Sequence, residues 1–387
     1  MKNNKLYKEF FQSEKTGGLL LIVCTLISLI ISNSDLGEMY NELWQMNIGK
    51  LSVTQWINDG LMTIFFLLIG LELEREIYHG ELSNFKDALL PIFGALGGIL
   101  VPAGIYLFFN YGSSTQVGAG IPMATDIAFA LGILSLLGNR VPMGLKIFLT
   151  ALAVIDDLGA ILIVALFYTK TILWNNLLIA LAIFGVLLLL SKKRVTSLRV
   201  YLVGGILMWY FMLNSGVHAT ITGVLLAFAI PYKDGSKTST SYKLQHFLHI
   251  PVAFIVLPIF ALANTSIVLG SSINNIFSEN YSLGISLGLL AGKPMGILLF
   301  VFLAVSIGIC TLPKDLSWKS ITGVGFLGGI GFTMSIFITL LAFEEQELIN
   351  KAKLVILITS LVAGLIGYFS LKKILIKPEG KKELIHQ

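Results

Sequence analysis

Charge is what this sequence has least of. Only 13% of its 387 residues are Asp, Glu, Lys or Arg, against 55% hydrophobic, and the mean hydropathy is +0.83. That balance excludes an ordinary soluble globular chain. Apolar stretches close to the roughly 20 residues that a bilayer core demands run almost from end to end. They leave no room for a sizeable soluble domain, so residues 1–387 read as a single polytopic transmembrane domain. Cysteine is nearly absent. Cys24 and Cys310 both fall inside apolar stretches, where they read as small buried hydrophobes, which excludes a disulfide or metal framework. No small-residue cleavage site follows the first apolar stretch, 17–31, so the lysines at 2, 5, 8 and 15 precede a retained first helix rather than a leader. The net charge of +5 sits in the loops between spans, where it reports topology and implies no nucleic-acid partner.

Hydropathy, turn signals and charge breaks place about twelve helices, near 17–32, 57–73, 88–109, 119–138, 143–168, 172–190, 197–214, 216–230, 249–271, 283–309, 319–343 and 353–371. With a cytoplasmic N-terminus, the inner side collects Arg140, Lys192, Lys193, Arg194, Lys233, Lys237, Lys243, Lys314, Lys372, Lys373 and Lys377, and the outer side keeps Lys50, Lys170, Lys351 and Lys353. This asymmetry puts both termini inside and favours an even span count. The expected extramembrane parts are a cytoplasmic tail at 1–16, a periplasmic loop or hairpin at 33–56 and a cytoplasmic tail at 372–387.

A weak internal echo links the fourth and eleventh spans. Gly120, Thr125 and Phe129 recur at the same spacing as Gly328, Thr333 and Phe337, and both segments are interrupted by Gly or Pro, a pattern that points to a transporter binding site. Charges in mid-span are costly, about 2.5 to 3.5 kcal/mol each, and normally mark function. Four stand out: Asp126 in the fourth span, Asp156 and Asp157 in the fifth, and Lys293 in the tenth.

Consecutive residues on a helix point about 100° apart, so Asp156 and Asp157 do not turn to the same neighbour. One is expected to pair with Lys293 while the other faces a water-filled funnel, where its oxygens replace the hydration shell of a small hard cation. Thr125 and backbone carbonyls freed by a broken helix supply further oxygens. A carboxylate that holds either a proton or a cation, and not both, is the chemistry of an exchanger. An intramembrane aspartyl protease fits poorly, because its two carboxyls must face each other from separate elements. A sodium- or proton-coupled carrier of an organic solute needs an arginine or aromatic cluster that the fourth, fifth and eleventh spans lack, and a passive channel would not trap ions on mid-membrane charges.

At these motifs the sequence resembles the NhaA-type bacterial sodium/proton antiporters over nearly its full length. The matching segments include Asn-Asp-Gly-Leu-Met at 58–62, Ala-Thr-Asp-Ile-Ala-Phe-Ala at 124–130, Ile-Asp-Asp-Leu-Gly-Ala at 155–160, Gly-Lys-Pro-Met-Gly at 292–296 and Gly-Ile-Gly-Phe-Thr-Met-Ser at 329–335. The resemblance implies an all-α fold in which spans 3–5 and 10–12 form inverted repeats and the discontinuous fourth and eleventh spans cross at mid-membrane. It implies a secondary transporter of the inner membrane, not an enzyme, that needs no cofactor beyond its cargo of Na+ or Li+ and H+. By the same resemblance Asp156 and Asp157 carry cation and proton, Lys293 pairs with Asp156, and Asp126 and Lys293 balance exposed helix ends. Two protons enter per sodium leaving, and the 44–56 segment joins a homodimer. Glu72, Glu76, Asp59 and His218 match positions linked to pH activation. Gln245 stands where well-known members carry glutamate, and Glu74 replaces a basic residue, so the activation profile is expected to be shifted or shallower.

Overall fold

A computed structural model describes residues 2–168, 172–232, 239–270 and 276–375. Of the loop charges counted above, Lys170, Lys233, Lys237 and Lys377 lie outside those residues, as does 376–387 of the C-terminal tail.

The described chain is almost entirely helical, as a lipid-facing backbone must be when no water is at hand to satisfy its N–H and C=O groups. In order it forms α1 (Lys2–Ser32), α2 (Gly37–Gln45), a hairpin of β1 (Asn47–Ile48) and β2 (Leu51–Ser52), α3 (Val53–His79), α4 (Phe85–Asn110), a 3-10 stretch (Ser114–Met123) leading into α5 (Ile127–Leu136), α6 (Met143–Phe167), α7 (Trp174–Lys192), α8 (Leu198–Leu213), α9 (Ile221–Ala229), α10 (Thr240–Asn264), α11 (Asn280–Ser306), α12 (Trp318–Gly328), α13 (Phe332–Ala342) and α14 (Gln346–Leu375). Starts follow local chemistry: Ser52 and Ser317 close capping boxes on α3 and α12, and Asn84 and Ser239 cap α4 and α10.

Among the described residues nine helices are long and apolar enough to cross a membrane, ten if α12 and α13 count as one bent span. Two of the expected twelve stretches are shorter than spacing suggested. α8 has 16 residues, and α9 has nine, about 14 Å at 1.5 Å per residue, because the turns at 214–220 take up the rest of its apolar run. Three π-helical turns, Trp56–Leu61, Val252–Val256 and Gly288–Gly292, were not legible in the sequence. The last two precede Pro258 and Pro294, whose missing N–H groups free carbonyls one turn back, and a wide turn absorbs the mismatch.

Close backbone approach builds the bundle. α4 crosses α11 at Gly97 and Gly296, where a Cβ on either would collide with the backbone of the other, and α3 meets α9 where a Cβ on Gly223 would collide with the α3 backbone at Thr63 and Leu67 and one on Gly70 with the Ala227 side chain. α1 packs on α5, and α12 on α14. At the periphery, β1 and β2 turn at Gly49 (φ +70°) beside α2, which exposes Met39 and Leu43.

Candidate functional site

Two helices break at the same depth of the bundle. Pro122 has no N–H and the chain becomes extended at Ala124 and Asp126, so the stretch from Ser114 cannot run on into α5. On the other strand of the site, glycines at 325, 328, 329 and 331 weaken the helix, and α12 and α13 are bent by 47° across residues 329–331. The freed backbone groups find partners nearby: the Asp126 N–H donates to the Ile330 carbonyl across the two breaks (2.7 Å), the Ile121 carbonyl accepts from the Ser335 hydroxyl (2.7 Å), and the Phe332 N–H donates to the Ser360 hydroxyl of α14 (3.1 Å).

Asp126 holds both restarts. Its Oδ1 accepts the Phe129 N–H (2.9 Å) and so caps α5, while Oδ2 accepts the N–H (3.1 Å) and hydroxyl (2.5 Å) of Thr333 in the first turn of α13. One carboxylate thus sits at two helix N-termini, whose dipoles favour negative charge.

Beside it lies a fully buried ion pair. Lys293, placed immediately after the π turn of α11, donates to Asp156 Oδ2 (2.5 Å) and to the Thr125 hydroxyl (2.9 Å). The Thr125 hydroxyl lies 2.7 Å from Asp156 Oδ2 and 2.8 Å from the Gly328 carbonyl. It has a single proton for these two acceptors, so one of them always competes.

Asp157 is different. It is 0% exposed, and neither carboxylate oxygen receives a hydrogen bond; Asp156 Oδ1 is also unpartnered. Orphaned buried acceptors cost about 1–3 kcal/mol each, more if charged, and a proton or a small cation relieves that cost. The two aspartates therefore do divide, as helix geometry requires, but Asp157 is covered by neighbouring helices where a water-filled funnel was expected. Periodicity tells which residues share a face, not which neighbours close over it. Among the described residues no cluster of three or more His, Cys, Asp or Glu side chains is placed to hold a metal ion.

Over residues 8–371 the sequence matches the family described as Na+/H+ antiporter 1. The chain belongs to this family. It is 69% identical to the Na(+)/H(+) antiporter NhaA of Flavobacterium psychrophilum, with 97% of this chain and 98% of that one covered. It is 58% identical to the NhaA of Cytophaga hutchinsonii, with 98% of each covered. Among solved structures, the sodium proton antiporter MjNhaP1 from Methanocaldococcus jannaschii shares the fold, with a TM-score of 0.55 at 16% identity over 97% of this chain and 99% of that one. The protein is a multi-pass, all-α membrane protein of the antiporter family.

Of the remaining sequence-selected positions in this family member, several converge between α3 and α10. Glu72 lies beside the Gln245 side chain, and the buried Glu74 accepts from the Ser241 hydroxyl (3.1 Å), one turn away on α10. Glu76 pairs with Arg75 (3.0 Å). Asp59 is not part of this group. It lies in the first π turn, 13 residues and about 20 Å of helix from Glu72, with its backbone carbonyl accepting from Thr63 and from Trp209 Nε1. His218 also stands apart, its Nε2 3.2 Å from the Tyr168 carbonyl.

Sequence reading did not select Thr333, Ile330, Ser335 or Ser360 as site residues. Thr333 had a signal: the echo pairs it with Thr125, and in the fold each threonine hydroxyl meets an aspartate, Thr333 on Asp126 and Thr125 on Asp156. The others act through backbone groups or a generic hydroxyl, for which no spacing rule exists.

Proposed function

We propose that this chain exports Na+, and Li+, in exchange for H+ across a bacterial inner membrane, with both termini cytoplasmic, and so sets cytoplasmic pH and sodium. The observation that carries the reading is Asp157, a fully buried carboxylate with two unpartnered oxygens beside the Asp156–Lys293 pair. Family membership and the printed names of the relatives support the same cargo.

In this reading Asp157 binds the cation, with the free Oδ1 of Asp156 and the Thr125 hydroxyl as further oxygen ligands. Protons compete for the same oxygens. Asp126 compensates the two helix starts, and Lys293 neutralises Asp156 until it is displaced. The exchange is electrogenic, two protons per sodium, since Asp157 and the Asp156–Lys293 pair together offer the protonation sites for two. Spans 3–5 and 10–12 act as inverted repeats hinged at the two breaks. Glu72, Glu76 and Gln245 tune activation with pH from the α3–α10 contact, with Asp59 and His218 as separate contributors. The 44–56 segment joins two copies, since α2 and the hairpin present apolar side chains outward.

The test is dissipation of a preformed proton gradient in inside-out vesicles. Sodium or lithium should collapse it and potassium should not, and an inside-negative potential in proteoliposomes should speed sodium export. No response to any cation would overturn the reading.

A further inference from the structure

Asp157, Ile161 and Val164 occupy positions i, i+4 and i+7 of α6. They share one face, with the two apolar residues about 6 and about 10 Å beyond the carboxylate toward the C-terminal end of the helix. Ile161 and Val164 also line a recess between α3, α6, the start of α9 and α13. Its other walls are Phe66, Thr220, Ile221 and Phe337, and it holds about 180 Å³ of free space counted out to its mouth. The space clear of its walls is only about that of one water, so the recess as it stands is shut to a hydrated ion. The recess therefore begins one turn from the unpartnered carboxylate, on the same side of the helix.

Across it the rings of Phe66 and Phe337 touch, with centroids 5.4 Å apart and planes at 56°, and both side chains are buried. The two rings are anchored differently. Phe66 belongs to α3, whose backbone is pressed against Gly223 of α9. Phe337 lies on α13, one turn past Thr333, and Thr333 is fixed to Asp126 at the break. Any swing of α13 at residues 329–331 is delivered to this ring within one helical turn, while its partner stays with α3.

We propose that this recess is the outward limb of the ion route to Asp157, and that Phe66 and Phe337 are the gate across it, opened when α13 swings at its break. The proposal rests on the antiport reading above. An apolar constriction of this kind bars hydrated ions by dewetting and needs no charge of its own. Of the six lining side chains only Thr220 carries a polar group, so the limb offers almost nothing to replace an ion's water. A cation crosses it hydrated, and selection is left to the carboxylates within.

The test uses the full chain with Cys24 and Cys310 replaced by Ala and a reporter, Ile161→Cys, in right-side-out vesicles. The readout is its rate of reaction with a membrane-impermeant cationic thiol reagent added outside. Phe337→Ala should raise that rate about ten-fold, the change in open-to-closed ratio expected on losing one aromatic contact and the burial that goes with it. Phe337→Leu should raise it less. Phe66→Ala is read in the same way and keeps the comparison available if the first variant fails to insert. A control reporter, Ile356→Cys on α14, should not change. An unchanged rate at Ile161→Cys, or an equal rise at Ile356→Cys, overturns the gate and leaves the rings as ordinary packing. Sodium-driven proton movement is measured in the unsubstituted chain alongside. If it is absent, the antiport reading falls while labelling still decides the gate; if it is present and labelling does not move, the gate alone falls.

Discussion

Thr333 reaches back 207 residues to place both its N–H and its hydroxyl on one oxygen of Asp126. The same carboxylate caps α5 through its other oxygen, so a single side chain fastens the two broken helices at their restarts. Removing its charge is expected to loosen both. Asp126→Asn should destabilise by about 1–2 kcal/mol, the range for charges at helix termini in partly buried settings. A double-mutant cycle with Thr333→Val, followed by thermal unfolding in detergent, should show coupling of at least about 0.5 kcal/mol. Strict additivity would mean that the contact fastens nothing.

Asp157→Asn should abolish sodium-driven proton movement in vesicles while the protein still inserts, because an amide neither exchanges a proton near neutral pH nor offers a charge to a cation. Full activity in that variant would remove Asp157 from the site.

Competition between proton and cation has a defined sign. As pH falls, protons take the shared oxygens, and the apparent KM for sodium should rise about tenfold per pH unit for one competing proton and about a hundredfold for two. Initial rates at saturating and subsaturating sodium across pH 6–9 measure the slope. A KM independent of pH would separate the two binding events.

Lys293→Ala leaves Asp156 buried without its ammonium partner, and breaking such a pair costs about 3–5 kcal/mol. The melting temperature should drop accordingly, and adding Asp156→Asn should recover part of the loss, since the uncompensated charge goes with it. A double variant no more stable than the single one would show that the penalty lies in lost packing of the lysine stem.

Gln245→Glu introduces an acid beside Glu72. The midpoint or steepness of the activity–pH profile should change while the preference among sodium, lithium and potassium stays put. Superimposable profiles would take this contact out of pH regulation.

Much of the protein was set by residue order alone. Runs of apolar residues with few charges commit the chain to the membrane, and lipid then permits only helices. Mid-span charges are costly enough that Asp126, Asp156, Asp157 and Lys293 announce themselves, and helix geometry alone keeps the two neighbouring aspartates from sharing a partner. The Gly and Pro residues around 118–126 and 325–331 mark where the fourth and eleventh spans break. Tertiary structure decided the rest. Which oxygen of Asp156 meets Lys293, the bond from the Asp126 N–H to the Ile330 carbonyl, and the complete burial of Asp157 depend on helices brought together from distant parts of the chain. The π turns and the shortness of α9 belong here too, because a backbone hydrogen bond in lipid shifts to whatever partner packing supplies, and that partner lies outside any local window of sequence.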